Sequence, residues 1–153
     1  PAIILHDTGW STVDEQIAFQ AIAPDRDGTY NWAVYQHEKE GARIAREILT
    51  EVGYAEKDID EICEIIDGHD TTNEARSLND AVMKDADKGW RTTPHGMRII
   101  RGWYDWSLAE YVDMVSVVSN PRLLTAPGKA MAEGFTASLR AELELTNYMG
   151  AGA

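Results

Sequence analysis

Apolar residues recur along most of this chain at helical spacing. Ser11 is a good N-cap and Asp14 stands three residues on, which predicts a helix over residues 12–22. Ala23-Pro24-Asp25-Arg26-Asp27-Gly28 is loop chemistry. A long helix over residues 32–52 follows, stopped by Gly53, with an inward stripe of Val34, His37, Gly41, Ile44, Ala45 and Ile48. Asp58 caps the next predicted helix, whose stripe reads Ile59, Ile62, Ile66 and His69. Two histidines therefore extend apolar stripes, and Gly41, one turn after His37, permits close approach of a neighbour. Asp70, Thr71 and Thr72 break the pattern before a helix over residues 74–88 that carries Leu78 and Val82 and closes at Gly89. Residues 107–118 read as helix, although Val112, Val115, Val117 and Val118 would also suit a strand. Asn120-Pro121 marks a turn, and Thr125-Ala126-Pro127 opens a last helix with Met131, Phe135, Leu139 and Leu143 every four residues. Asn147 to Ala153 reads as a frayed tail. The expected class is all-α, a helical bundle of five or more helices.

Composition narrows the function. A chain of 153 residues, 44% hydrophobic and 26% charged, is expected to form a single globular domain over residues 1–153. Its formal charge of -12 argues against general nucleic-acid binding and against anionic membranes, both of which need a basic face. No apolar run approaches the roughly 20 residues of a membrane helix. Cys63 is the only cysteine, so no intrachain disulfide forms. With no signal peptide visible, the expected location is cytoplasmic.

The candidate chemistry begins at the N-terminus. Ala2-Ile3-Ile4-Leu5 ends in His6-Asp7, with Gly9 two residues later. The run reads as the last turn of a buried helix that delivers an imidazole and a carboxylate into a dry site. Such a mix suits a divalent transition metal. A helix C-cap with a satisfied histidine is the plain alternative. A lone histidine on an apolar stripe is more often a hydrogen-bonded core residue than a ligand. His37 and His69 on successive stripes, in a chain of four histidines, shift that balance to function. Asp85 and Asp87 read as ligands or as a solvated face. His95, after Pro94, reads as surface loop. Trp90, Trp103, Trp106, Tyr104 and Tyr111 read as core before substrate platform. Arg91, Arg98 and Arg101 read as surface charges or as phosphate partners.

Leu5-His6-Asp7-Thr8-Gly9 resembles the L-H-D-x-G setting of the HD-domain superfamily of metal-dependent phosphohydrolases. The stretch from His37 to Ala45 resembles that family's H-x-x-x-G-A-x-x-A helix. The stretch from Ile62 to His69 resembles its I-x-x-I-I-x-x-H segment, and Lys84-Asp85-Ala86-Asp87-Lys88 its K-x-A-D-[RK] segment. The order and approximate spacing agree over roughly residues 2–90. The resemblance implies one or two divalent ions, with Mn, Fe, Mg, Zn, Ni and Co all in use across the family. It implies His6, Asp7 and Asp87 as metal ligands, Asp85 being the fallback for Asp87. It implies His37 and His69 as ligands of a second metal or as substrate contacts. Asp7 and Asp70 are the expected catalytic carboxylates, Asp70 orienting His69 or moving a proton. Arg98 and Arg101 are the expected phosphate contacts.

The implied activity is hydrolysis of a small phosphorylated molecule or nucleotide. A di-iron oxygenase and a degenerate, non-catalytic ligand-binding domain are the alternatives. A rival register makes His69-Asp70 the His-Asp pair, but leaves only 15 to 17 residues before the closing aspartate. The family also carries a histidine upstream of the pair. Together with the uncapped apolar start, that predicts an N-terminal segment preceding Pro1, without which metal binding would be weak.

Overall fold

The computed structural model describes residues 1–23 and 27–150. Pro24, Asp25 and Arg26 of the predicted loop, and residues 151–153 of the predicted tail, lie outside the described residues. Every regular element among the described residues is helical and none is a strand, so the chain is all-α. No helix among them is long and apolar enough to cross a membrane. The chain divides into two compact units, Pro1–Met83 and Lys84 onward.

The first unit opens with α1 (Ala2–Leu5), which tightens directly into a 3-10 segment, His6–Thr12. Ser11 and Thr12 are not caps: their hydroxyls donate to the carbonyls of Thr8 and Gly9 within that segment. Asp14 is the N-cap instead, accepting from the amides of Gln16 and Ile17, and α2 spans Glu15–Ile22. Helix α3 (Asn31–Glu51) buries Ala33, Val34, His37, Glu38, Gly41, Ala45 and Leu49. Its inward face is thus rotated from the expected one, and Ile48 is exposed. The rotation follows from packing: the 3-10 segment and α2 lie along α3, as does α4.

Helix α4 (Glu56–Ile66) starts two residues before Asp58, which sits in its first turn where a carboxylate suits the helix dipole. It buries Ile59, Ile62, Ile65 and Ile66 and stops there. Asp67 is extended and Gly68 has φ 112°, a region that side chains other than glycine rarely adopt. His69 is therefore presented by a turn and not by the helix. Helix α5 (Leu78–Gly89) begins later than expected because Ser77 caps it, its hydroxyl accepting from the Asp80 amide. Leu78 and Val82 point outward, and Ala81 and Met83 are buried. The main core of this unit joins Ala2, Ala45, Leu49, the four isoleucines of α4 and Met83.

The second unit contains a helix that periodicity missed, α6 (Pro94–Tyr104), capped by the Thr93 hydroxyl and started by proline. His95 lies on its exposed first turn and not in a loop. Helix α7 (Leu108–Met114) has a full capping box between Ser107 and Glu110. It continues as a π turn, Val115–Ser119, so the valine run is helical after all. Helix α8 (Ala126–Gly150) buries Ala132, Thr136 and Leu139, while Met131 is exposed, and residues 147–150 are helical. Trp90, Tyr104, Trp106 and Tyr111 pack into the core of this unit as expected, and Trp103 is half exposed.

Candidate metal centre

Two glycines set the geometry at the N-terminal His-Asp pair. The 3-10 segment crosses α3 with backbone against backbone. A Cβ on Gly9 would overlap the His37 carbonyl oxygen, and one on Gly41 would lie 2.8 Å from the His6 carbonyl oxygen and 3.2 Å from Ile66 Cγ2. Gly41 thus admits the close neighbour expected of it, and that neighbour is the His-Asp segment itself. The burial of the N-terminal run is only partial, contrary to expectation. Ala2 is buried, but Ile3 and Ile4 are exposed and the Asp7 side chain is 55% exposed. A single helical turn can bury only one side.

Five of the predicted residues converge: His6, Asp7, His37, His69 and Asp70. The Nε2 atoms of His37 and His69 are 3.3 Å apart. Asp7 Oδ1 lies 3.7 Å from each of them, and Asp7 Oδ2 lies 3.1 Å from His6 Nε2. Asp70 Oδ2 lies 3.8 Å from His37 Nε2 and 3.7 Å from His69 Nε2. The His6 and His69 rings meet edge to face at 4.9 Å. His6 Nδ1 donates to the Ile3 carbonyl at 2.9 Å and His69 Nδ1 to the Ile66 carbonyl at 2.8 Å. Those bonds put the proton on Nδ1 and turn the Nε2 lone pair toward the cluster, the tautomer a metal ligand needs. The Ile66 carbonyl therefore orients His69.

His37 is held differently. It is fully buried, and its Nδ1 has no hydrogen-bond partner among the described residues. The indole of Trp10 stacks on its ring at 3.9 Å with an interplanar angle of 10°. Burial, then the neighbouring His69, pushes the His37 pKa below the ordinary histidine value, against the upward pull of Asp70 and Asp7. A neutral imidazole is the form that binds metal.

Two residues of the site escaped sequence reasoning. Trp10 also donates its indole N–H to Asp7 Oδ1 at 3.2 Å, so one side chain packs His37 and holds the carboxylate facing it. Glu38 is 1% exposed. Its Oε1 accepts from the amides of Asp70 and Thr71 at 2.7 and 2.9 Å, and its Oε2 accepts from the Thr71 hydroxyl at 2.7 Å. Glu38 therefore fastens the turn that carries His69 and Asp70 to the helix that carries His37. Its position beside His37 on a buried face was the available signal, but a glutamate there reads by default as solvent-facing.

The donor set fits a divalent ion. Among the described residues, His6, Asp7 and His69 form one group of potential ligand atoms within 4.8 Å of one another, and His37, His69 and Asp70 form another. The remaining predicted residues belong to the second unit. Asp85 accepts from the amides of Leu124 and Thr125 and from the Thr125 hydroxyl, at 2.6, 2.8 and 2.6 Å, so both its oxygens are engaged at the start of α8. Asp87 is buried and pairs with Lys88 at 3.0 Å and Arg91 at 3.7 Å. Arg98 is exposed on α6, and Arg101 donates Nε to the Trp106 carbonyl at 2.9 Å.

No curated protein and no solved structure matches the chain. A family model does: the HD domain, over residues 2–88. That span exceeds half of the sequence and covers every residue of the histidine cluster, so the chain belongs to the HD-domain family.

Proposed function

We propose that the chain is a metal-dependent phosphohydrolase acting on a small phosphorylated molecule or nucleotide. The observation that carries this reading is the convergence of the His37 and His69 Nε2 atoms with the Asp7 carboxylate, on the family background. By family resemblance His6, Asp7 and Asp87 hold one divalent ion. His37 and His69 hold a second or contact the substrate. An ion so held supplies Lewis acidity and a water of lowered pKa. The chain's own contribution is placement: Trp10 keeps Asp7 Oδ1 toward the histidines, and Glu38 fixes the turn bearing His69 and Asp70. Arg98 and Arg101 are the proposed cations for the phosphoryl group.

The test is phosphate release from phosphorylated small molecules and nucleotides by the purified chain under nitrogen. Mn, Mg, Co, Zn, Ni and Fe are supplied in turn, with His69→Ala as control. Release that depends on the metal and on His69 supports the reading. Two irons per chain with oxygen consumption and no phosphate release would move the assignment to a di-iron oxygenase. The close His37–His69 pair favours that second reading. Absence of any bound metal would leave a non-catalytic binding domain.

A further inference from the structure

Helix α8 has two working faces. It packs against its own unit through Ala132, Thr136, Leu139 and Leu143. Roughly 160° round the helix, at about 100° per residue, runs a second stripe: Met131, Gly134, Ser138, Ala141, Leu145 and Tyr148. All six are exposed, Met131 by 63%, Leu145 by 59% and Tyr148 by 82%, and Met149 beside them is 69% exposed. Steps of three and four residues alternate along it, the repeat of a coiled-coil seam. Gly134 stands in the helix interior, where glycine is destabilising, and a Cβ there would meet nothing within 4 Å beyond its own helix. No packing among the described residues calls for that glycine. The Ser138 hydroxyl donates to the Gly134 carbonyl at 3.1 Å, so the middle of the stripe presents no unmet donor.

We infer that this face binds a second copy of the chain, the two α8 helices lying antiparallel about a two-fold axis between Leu139 and Arg140. The register points to that occupant. The stripe is symmetric about the axis: Met131 lies level with Tyr148 of the other copy, Gly134 with Leu145, and Ser138 with Ala141. Each Leu145 then fills the space over the other copy's Gly134. The small residues bring the backbones together at the centre, and the large ones close the ends. A parallel pair would set leucine on leucine and glycine on glycine, with Glu142 and Glu144 each beside its own copy. In the antiparallel pair Glu142 lies level with Ala137, Glu144 with Phe135 and Arg140 with Leu139, so no charge of α8 is level with a like charge. The area is sufficient. At roughly 200 Å² per large side chain, the exposed parts of Met131, Leu145, Tyr148 and Met149 amount to roughly 500 Å² per copy. With the small residues between them the two copies together bury roughly 1,200 Å², the lower bound for specific, stable interfaces. The inference concerns the second unit and is independent of the metal reading.

Sedimentation velocity of the full chain over a concentration series tests the pairing, with far-UV circular dichroism as the folding check on each variant. The parent is expected to pass from monomer to dimer as concentration rises through the micromolar range. Leu145→Glu is expected to raise the dissociation constant by at least about 100-fold, because each dimer loses two buried leucines. Gly134→Leu is expected to weaken the dimer by blocking close approach, while its helical signal stays level or rises. Val117→Glu, at a position 74% exposed and outside α8, is expected to associate like the parent. Oxidative cross-linking in a Cys63→Ser background reads the orientation. A mixture of Gly134→Cys and Leu145→Cys chains is expected to form a disulfide-linked pair, and neither variant alone to do so. Self-linked Leu145→Cys, Gly134→Leu or Leu145→Glu dimerising like the parent, or a dimer lost in Val117→Glu would each overturn the inference. A parent that stays monomeric into the millimolar range would overturn it too, and would leave this face to a different protein or another segment.

Discussion

Replacing Glu38 tests how the cluster is held together. Its carboxylate receives two amides and one hydroxyl while almost wholly buried. Glu38→Ala leaves the amides of Asp70 and Thr71 without an acceptor. An unsatisfied buried amide costs about 1–3 kcal/mol, and the turn is only partly buried, so water relieves part of it. A loss of about 2–4 kcal/mol in folding free energy is expected. Glu38→Gln keeps a carbonyl oxygen for the two amides and turns its NH₂ toward the Thr71 hydroxyl, which then accepts. Only the charge assistance is lost, and the expected cost is about 1 kcal/mol. Urea unfolding of the metal-free variants, followed by circular dichroism, measures both values. Hydrogen exchange at the Asp70 and Thr71 amides locates the effect. Two results would refute the reasoning: an alanine variant within about 1 kcal/mol of the parent with unchanged exchange, or a glutamine variant as unstable as the alanine one.

Further outcomes follow from other contacts. Gly9→Ala drives a methyl into the α3 backbone and is expected to cost at least about 1–3 kcal/mol and to weaken metal binding; a melting temperature equal to the parent's would contradict it. Trp10→Phe keeps the stacking ring on His37 and loses the N–H to Asp7, so it should weaken Co²⁺ binding less than Trp10→Ala does; calorimetry ranks the two. Asp85→Ala is expected to lose about 2–4 kcal/mol of stability, because two amides and a hydroxyl lose their acceptor, with Co²⁺ affinity unchanged; a lost metal site instead would return Asp85 to the ligand set. Burial pushes the Tyr111 hydroxyl, bonded to the Arg91 carbonyl, up to about 12. A folded pKa above the ordinary 10 favours the native state fully below pH 10, and that contribution disappears as pH rises through about 12. Ultraviolet titration of the folded chain should show a tyrosine transition near 12 that Tyr111→Phe removes, and its absence from the parent would contradict it.

Much of the scaffold was legible because helix signals are local. The i, i+3, i+7 spacing of Ile59, Ile62 and Ile66 and the breaker at Gly53 act within a few residues. Errors came where two local devices competed. Asp14 displaced Ser11 as a cap because the Ser11 and Thr12 hydroxyls turned back to carbonyls inside the 3-10 segment. Helix α6 was missed because its aromatic and arginine residues obscure the periodicity, although Thr93-Pro94 is a plain start signal.

The chemistry divides in the same way. Sequence by itself determined the residue types, His6, Asp7, His37 and His69, and the order in which the family carries them. It also determined that Gly41 would admit something close. Only tertiary structure decided which atoms meet. That Gly9 and Gly41 let two backbones touch, that Trp10 covers His37, and that Glu38 grips the turn after Gly68 are facts about residues up to 33 positions apart. Periodicity reports which face of a helix is buried, but it carries no information about what lies on the other side of the contact. A carboxylate at a buried position therefore reads as an error in the pattern until its partners are in view.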